Sequence, residues 1–434
     1  MPQISYNSDD YEHDIPYLED LFSHDYAPVK EREFPNTSID VLKDSTGKSE
    51  TVGDYNELQG LFQSRLDQLR PLLANRRYDN PITDIKNMKN KAGQYIVAIG
   101  LVRNVFESRN GNMCVLFEDS QQEAIAVSSD ESQFEEIEEI LPDTVIAIEG
   151  KVPNDGDGGM MYLNDFYHPD IPSTNDFNRT SEPVKGAFIS DIHVGAKNFA
   201  KESWYKFVDW VRQTPDISYI VIAGDLVEGV GIFPEQKEEL EITSVHDQYQ
   251  ACADLFTALP DDVAIVSCTG NHDAIRVAEP QPAVEEQHRD MFGNNVTIVG
   301  NPSTVQLHDK VYVELYHGAS IHDITEELPQ YDEEDPAKPM TELLKRRHLA
   351  PVFGNNARLV PETKDYHTIE QIPDILHSGH LHTFGNEQYH KVRVMNTGGW
   401  MFQTSYQERL NINPVVGTAN EVDFSTGVVR KKEF

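Results

Sequence analysis

Cysteine is scarce. Cys114, Cys252 and Cys268 are the three in the chain, and no two form a CxxC pair. That spacing argues against a disulfide framework and a cysteine-based zinc ribbon, and leaves buried free thiols as the simple reading. Long apolar runs are also missing. None approaches the ~18 consecutive apolar residues of a membrane helix. The opening MPQISYNSDDYEHD has no basic start followed by an apolar run, so no signal peptide is expected and the chain is predicted to be cytosolic, with no membrane partner. Positive charge is in short supply: 36 Lys and Arg stand against 73 Asp and Glu, a net charge of −37. This balance argues against simple electrostatic capture of nucleic acid. It fits either a protein that avoids polyanions or one from a high-salt cytoplasm, where acidic surfaces keep proteins soluble and repulsion is screened within a few Å. Halophily is the preferred explanation. Acidic clusters such as EEIEEILPD and EELPQYDEEDP read as solvated faces.

The chain has 434 residues, 38% of them apolar, enough for a packed core. At about 100–200 residues per domain, two or three domains are expected. Residues 1–50 are polar and weakly periodic, and are predicted to be loosely ordered. YNELQGLFQSRLDQLRPLLANR, residues 55–76, places leucines and a phenylalanine at three-four spacing, the signature of an amphipathic helix that packs on a core or docks a partner. Residues 1–90 are thus read as an N-terminal region, partly disordered and carrying that helix. Pro81 and the polar stretch after it read as a linker. Between 91 and 172, short β-branched runs (QYIVAIGLV, MCVLFED, EAIAVSS, VIAIEGKV) alternate with turn-rich pieces. They predict a small β-barrel of OB type. STNDFNRTSEP, residues 173–183, reads as a second linker. From 184 to 434 the pattern becomes strand then helix, with strands at 186–190, 219–223, 263–268, 311–316, 374–377 and 392–396. This is a layered α/β domain.

The ends of those strands repeat one theme. AFISDIHVG ends in Asp191 and His193, YIVIAGDLVEG in Asp225, AIVSCTGNHDAIR in Asn271, His272 and Asp273, VYVELYHGAS in His317, and DILHSGHLH in His380 and His382. Open α/β sheets place ligands beyond the carboxyl ends of their strands, so five such ends can converge. Each motif alone is weak. The ordered set DxH, GD, GNHD, H, GHxH is what carries weight. His377 lies earlier, within the predicted strand, and reads as structural. Imidazole, carboxylate and amide oxygen without thiolate suit Mn²⁺, Fe or Zn²⁺ better than soft ions. A carboxylate shared by two cations holds them ~3.5–4 Å apart, a spacing suited to in-line hydrolysis of a phosphoester.

With those motifs in place, residues 184–400 resemble the calcineurin-like metallophosphoesterases. ISDIHVGAKNF, GDLVEGVGIFPEQ, TGNHDAIR, YHGASI, LLKRRHLAPVFG, ETKDY, GHLHTFGNEQYHKVRVMNTGGWMFQT and ERLNINP together are similar to the small subunits of archaeal family D DNA polymerases. The likeness covers about 90–415. It implies a metallophosphoesterase β-sandwich flanked by helices, preceded by the small barrel. It also implies a 3′–5′ exonuclease acting on a DNA primer 3′ end, and a separate large catalytic subunit as partner. By the family pattern, one divalent ion takes Asp191, His193, Asp225 and His382, and the other takes Asp225, Asn271, His317 and His380. The two ions would be Mn²⁺, with Fe, Zn²⁺ or Mg²⁺ as alternatives. His272 would protonate the leaving oxygen or stabilise the transition state, and Asp273 would orient its imidazole.

Glu228, three residues after Asp225, reads as a loop-steadying hydrogen-bonding group rather than a ligand. Lys345, Arg346, Arg347 and His348 form a basic cluster. It is read either as an exposed helix end or as a contact to DNA phosphates or the large subunit. Trp400, Phe402 and Tyr406 are candidates to stack on a frayed primer end, although aromatics after a strand are more often buried. The competing readings keep the fold and change the substrate, or reduce the chain to a structural polymerase subunit. Protein phosphatases carry GNHE and an arginine after the second motif, whereas this chain has GNHD and no such arginine. Repair nucleases add a capping domain, and only about 30 residues follow Trp400. A structural subunit would not need the intact ligand set.

Overall fold

The computed structural model describes residues 24–32, 34, 36–154, 159–409 and 411–434. About half of the stretch predicted to be loosely ordered (1–50) lies outside the described residues, and most of the rest has no regular secondary structure, although Arg32 is buried and donates to the Ile217 carbonyl. One part of it departs from expectation. Ile39–Lys43 forms strand β1 and pairs antiparallel with a strand more than 260 residues later, Ile39 opposite Leu307. Its backbone completes a sheet edge, Ile39 packs on the core between the sheets, and Lys43 reaches Glu314 at 2.7 Å. A strand so short has no readable period of its own.

The helix Tyr55–Ala74 begins at Asp54. The Asp54 side chain accepts the N–H groups of Asn56 and Glu57, and Glu57 returns the favour to the Asp54 N–H. This capping box satisfies donors that would otherwise be orphaned. Leu66, Leu69 and Leu73 are buried against Val97, Ile99, Leu101, Val145 and Ala147. Burial of each such leucine contributes about 1.5–3 kcal/mol. The helix packs on the outer wall of a barrel made of β2 (Tyr95–Glu107), β3 (Met113–Glu118), β4 (Glu123–Ser128), β5 (Val145–Lys151) and β6 (Met160–Tyr167). These strands close in the order β2-β3-β4-β6-β5. β2 reads as a continuous apolar run because both its faces are covered: Ile96, Ala98 and Val102 fill the barrel, while Val97, Ile99 and Leu101 meet the helix. The polar stretch after Pro81 is no free linker. Ile85–Asn90 makes a 3₁₀ turn, and its Ile85 and Met88 join the barrel core.

The second predicted linker, 173–183, is irregular, yet Phe177 is buried between the sheets and Asn178 donates to Asp374. It leads into eleven strands: β7 (Lys185–Ile189), β8 (Ile217–Ala223), β9 (Ala264–Cys268), β10 (Val296–Ile298), β11 (Ser303–Leu307), β12 (Val311–Leu315), β13 (Ile375–Ser378), β14 (Gly385–Tyr389), β15 (Val392–Asn396), β16 (Thr418–Asp423) and β17 (Val428–Glu433). They form two six-stranded sheets, β10-β9-β8-β7-β16-β17 and β1-β11-β12-β13-β15-β14. Alternation along each strand divides the core into layers. Phe188, Val221, Val266, Val313 and Ile375 meet between the sheets. Ile189, Ile220 and Ile265 face outward onto Trp204, Val208 and Leu255 of the helices Lys201–Gln213 and Val245–Phe256. Leu376 and Val394 face outward onto Ile321, Leu343 and Leu344. The result is helix, sheet, sheet, helix. β7, β8 and β9 run parallel, as do β12 and β13. Among the described residues no helix is long and apolar enough to cross a membrane.

Candidate metal centre

Five carboxyl ends open onto one cleft of about 930 Å³, lying where the two sheets meet. The candidate ligands and His272 sit two to four positions past the strand ends, several of them in a backbone few side chains choose. Asp191, His193, Asp225, His380 and His382 all have φ between 53° and 70°, the left-handed region that costs a non-glycine residue energy and clusters at functional sites. Two glycines make the crowding possible. A Cβ on Gly270 would lie 2.2 Å from Oδ1 of Asp225, and one on Gly379 2.3 Å from Oδ2 of Asp191.

All seven ligand candidates read from the sequence come together, in two groups that share one atom. In the first, His193 Nε2 faces His382 Nε2 at 3.0 Å. Asp191 Oδ1 lies 3.6 Å from His382 Nε2 and 4.0 Å from His193 Nε2, and Asp225 Oδ2 is 3.8 Å from His193 Nε2. In the second, Asp225 Oδ2 lies 3.2 Å from His317 Nε2. Asn271 Oδ1 stands 2.9 Å from both His317 Nε2 and His380 Nδ1. Imidazole nitrogens, carboxylate oxygens and one amide oxygen converging this closely fit hard-to-borderline divalent ions.

The ring orientations are set from behind. His193 Nδ1 donates to Glu228 Oε2 at 2.7 Å, and Gln236 holds the other Glu228 oxygen. Glu228 is therefore the hydrogen-bonding group expected, and it leaves His193 Nε2 free to face the cleft. His317 Nδ1 donates to the Ala223 carbonyl at 2.8 Å. His272 Nδ1 donates to the Glu228 carbonyl at 2.8 Å, and its N–H donates to Asp225 Oδ1.

Asp273 departs from expectation. Its Oδ2 accepts the N–H groups of Asp225 and Gly270, and its Oδ1 accepts from Tyr249. It bolts the two ligand loops together, and the His272 ring is oriented by the Glu228 carbonyl. Burial and the neighbouring Asp225 carboxylate push Asp273 up to about 7.

The basic cluster is corrected too. Arg346, Arg347 and His348 are buried, so neither the exposed helix end nor the phosphate contact holds for them. Arg346 donates to the Glu139 carbonyl, Arg347 to the carbonyls of Ile369 and Glu370, and His348 pairs with Asp365 at 2.9 Å. Trp400 is also internal, against Trp204 and Phe207, whereas Phe402 is exposed. The Tyr406 side chain lies outside the described residues. His377 is buried within β13, 2.9 Å from the Ile189 carbonyl, and burial pushes it down to about 4. Sequence reading missed Gln407, 3.0 Å from His382 Nδ1, as well as Tyr249 and Asn301, which lie in no motif. All three cysteines are free and buried.

Electrostatics give the centre a pH signature. Burial works against charge on His317, but Asp225 and then Asp191 hold its proton and push it up to about 10. In metal-free protein that pair contributes stability that is complete below the unfolded imidazole value of about 6.5. The contribution is lost as pH rises through about 10. An ion taking His317 Nε2 must displace the proton, so apparent affinity should rise with pH, about tenfold per unit for one proton released. Mn²⁺ titration calorimetry at pH 7.5 in buffers of different ionisation enthalpy should show about one proton released on this site. Buffer-independent heats would contradict it.

A sandwich with this centre at its rim is the architecture of a calcineurin-like phosphoesterase, and residues 185–384 match that family. The chain is 38% identical over 396 residues to the DNA polymerase II small subunit of Halobacterium salinarum, covering 90% of this chain and 77% of that protein. It is 36% identical to that of Archaeoglobus fulgidus, covering 90% and 79%, and 33% identical to that of Methanothermobacter thermautotrophicus, covering 93% and 84%. The chain belongs to the family of DNA polymerase II small subunits.

Proposed function

We propose that this protein is a metal-dependent 3′–5′ exonuclease that proofreads for a separate, large catalytic polymerase subunit. The observation that carries the reading is the complete pair of ligand groups sharing Asp225 Oδ2, with His272 beside them in the cleft. Asp191, His193, Asp225 and His382 would hold one divalent ion, and Asp225, Asn271, His317 and His380 the other, with Mn²⁺ as the preferred metal. Such ions supply Lewis-acid neutralisation of the phosphoryl oxygens. The chain's own residues do the rest. Burial opposes charge on His272, but Asp225 and Glu228 raise it above the usual imidazole value. With Nδ1–H committed to the Glu228 carbonyl, Nε2–H is the proton it can give to the leaving 3′-oxygen. Asp273 and Tyr249 keep the Asp225 and Asn271 loops in register.

The domain plan we propose is an N-terminal region to residue 90, an OB-type barrel over 91–172 and the phosphoesterase domain over 184–434. The barrel and the Tyr55–Ala74 helix are the parts suited to docking the large subunit, a role that coexists with hydrolysis. The acidic surface suits a high-salt cytoplasm.

The test is degradation of a 3′-mismatched primer-template with Mn²⁺, compared with His272→Ala. The variant should lose about 10²–10⁴-fold, the contribution of a positioned general acid, and keep its Mn²⁺ affinity. Equal degradation by both would remove His272 from the chemistry. No degradation by the wild type, alone or with its large subunit, would sink the reading.

A further inference from the structure

We propose that Asn301, Gln281 and Glu279 are positioning residues for the second ion, and that Arg65 of the Tyr55–Ala74 helix anchors the far end of their hydrogen-bonded chain. The inference rests on the ion assignment proposed above. β12 ends at Leu315, so His317 lies past the ladder that would fix it. Its N–H donates instead to Asn301 Oδ1 at 2.9 Å. Asn301 cannot turn its amide over, because Nδ2 is committed to Glu279 Oε1 at 3.2 Å and Gln281 Oε1 at 2.9 Å. With both acceptors on one side, the carbonyl oxygen must face His317. Gln281 Nε2 in turn approaches the carbonyl of Gly270 at 3.3 Å, the residue before Asn271. One asparagine thus steadies two ligands of the same group.

The chain continues inward. Glu279 Oε2 pairs with His367 Nε2 at 3.0 Å. The His367 N–H donates to Asp365 Oδ1 at 3.0 Å, and Asp365 Oδ2 accepts from Arg65 Nε at 2.8 Å. From Arg65 to His317, every residue named in this series is at most 3% exposed. Glu279 and Gln281 border the cleft, while Asn301, His367, Asp365 and Arg65 lie behind it, where a break is passed on as an unpaired buried group or a shifted neighbour. The rings of the first ligand group are held elsewhere, His193 by Glu228 and His382 by Gln407. The positioning role therefore predicts selectivity between the two ions, which a general loss of stability does not.

The experiment is Mn²⁺ titration of the full chain by calorimetry and paramagnetic resonance, resolving two binding events, with circular dichroism to confirm folding. Glu279→Ala should weaken one event by about 10–100-fold, the scale of a lost supporting partner, and leave the other unchanged. Glu279→Gln keeps an acceptor for Asn301 and should restore most of the affinity. Arg65→Lys, which retains the charge but not the fork, should weaken the same event to a smaller extent and serves if Glu279→Ala does not fold. Unchanged affinity in a folded variant, or equal weakening of both events, would overturn the proposal. Because the readout is ion binding, a wild type that binds two ions but degrades no 3′ end would refute the exonuclease reading alone.

Discussion

Asp225→Asn is expected to cut Mn²⁺-dependent 3′-end hydrolysis by about 10³-fold, the scale on which losing one preorganised electrostatic group acts, with the fold intact. Asp225 is the one residue common to both ligand groups. Its Oδ2 lies 3.2 Å from His317 Nε2 and 3.8 Å from His193 Nε2, while Oδ1 accepts the His272 N–H at 2.8 Å. Asparagine tolerates the left-handed backbone that Asp225 holds at φ 53° and can keep the Oδ1 contact. What it loses is the shared anion, since an amide nitrogen at the Oδ2 position cannot ligate a cation. The carboxylate is held well below its usual range. Burial opposes its charge, but His317, His272 and His193 outweigh burial. Removing it therefore also releases the proton that His317 retains. Calorimetry should show both Mn²⁺ events lost or weakened together, unlike the selective loss expected at Glu279. Hydrolysis within tenfold of wild type, by gel assay on a mismatched primer, would contradict the assignment of Asp225 as the bridge.

Arg65→Ala is expected to destabilise the protein by about 3–5 kcal/mol, the cost of leaving one partner of a buried ion pair alone. Arg65 is fully buried. It gives Nε to Asp365 at 2.8 Å and Nη1 to the carbonyls of Asp143 and Pro351 at 2.7 and 2.6 Å. These contacts tie the N-terminal helix to the barrel and to the phosphoesterase domain at once. Asp365 sits well below the usual carboxylate range. Burial raises it, but His348 and then Arg65 draw it down more strongly. Truncation strands that carboxylate and two carbonyls in the interior. Urea unfolding at fixed KCl, with hydrolysis followed in parallel, checks the size. A loss under about 1 kcal/mol, typical of an exposed pair, would show that the contact contributes little.

The candidate ligand set was legible because each of its members stands just past an apolar run, and chain geometry forces side chains there to the rim of a parallel sheet. The predicted strands at 219–223 and 392–396 therefore landed within a residue or two of β8 and β15. His377 could be set apart from His380 and His382 on the same ground, since it lies inside the run. Other features had no local signature. β1 is a strand only because β11 offers it an edge. KRRH looked like a surface patch because charge is normally solvated; the fold supplied buried carbonyls and Asp365 to receive it. Asp273 stands next to His272 in sequence, but its carboxylate is taken up by Asp225, Gly270 and Tyr249.

Sequence alone determined which residues could hold ions, the order of barrel and sandwich, and the family, because those depend on residue type and on short-range periodicity. Tertiary structure decided which groups orient the candidate ligands, and that Asn301 and Arg65 belong to one buried chain. Those relations join residues up to about 300 positions apart, and no period or spacing encodes a contact between side chains that meet only when the layers close.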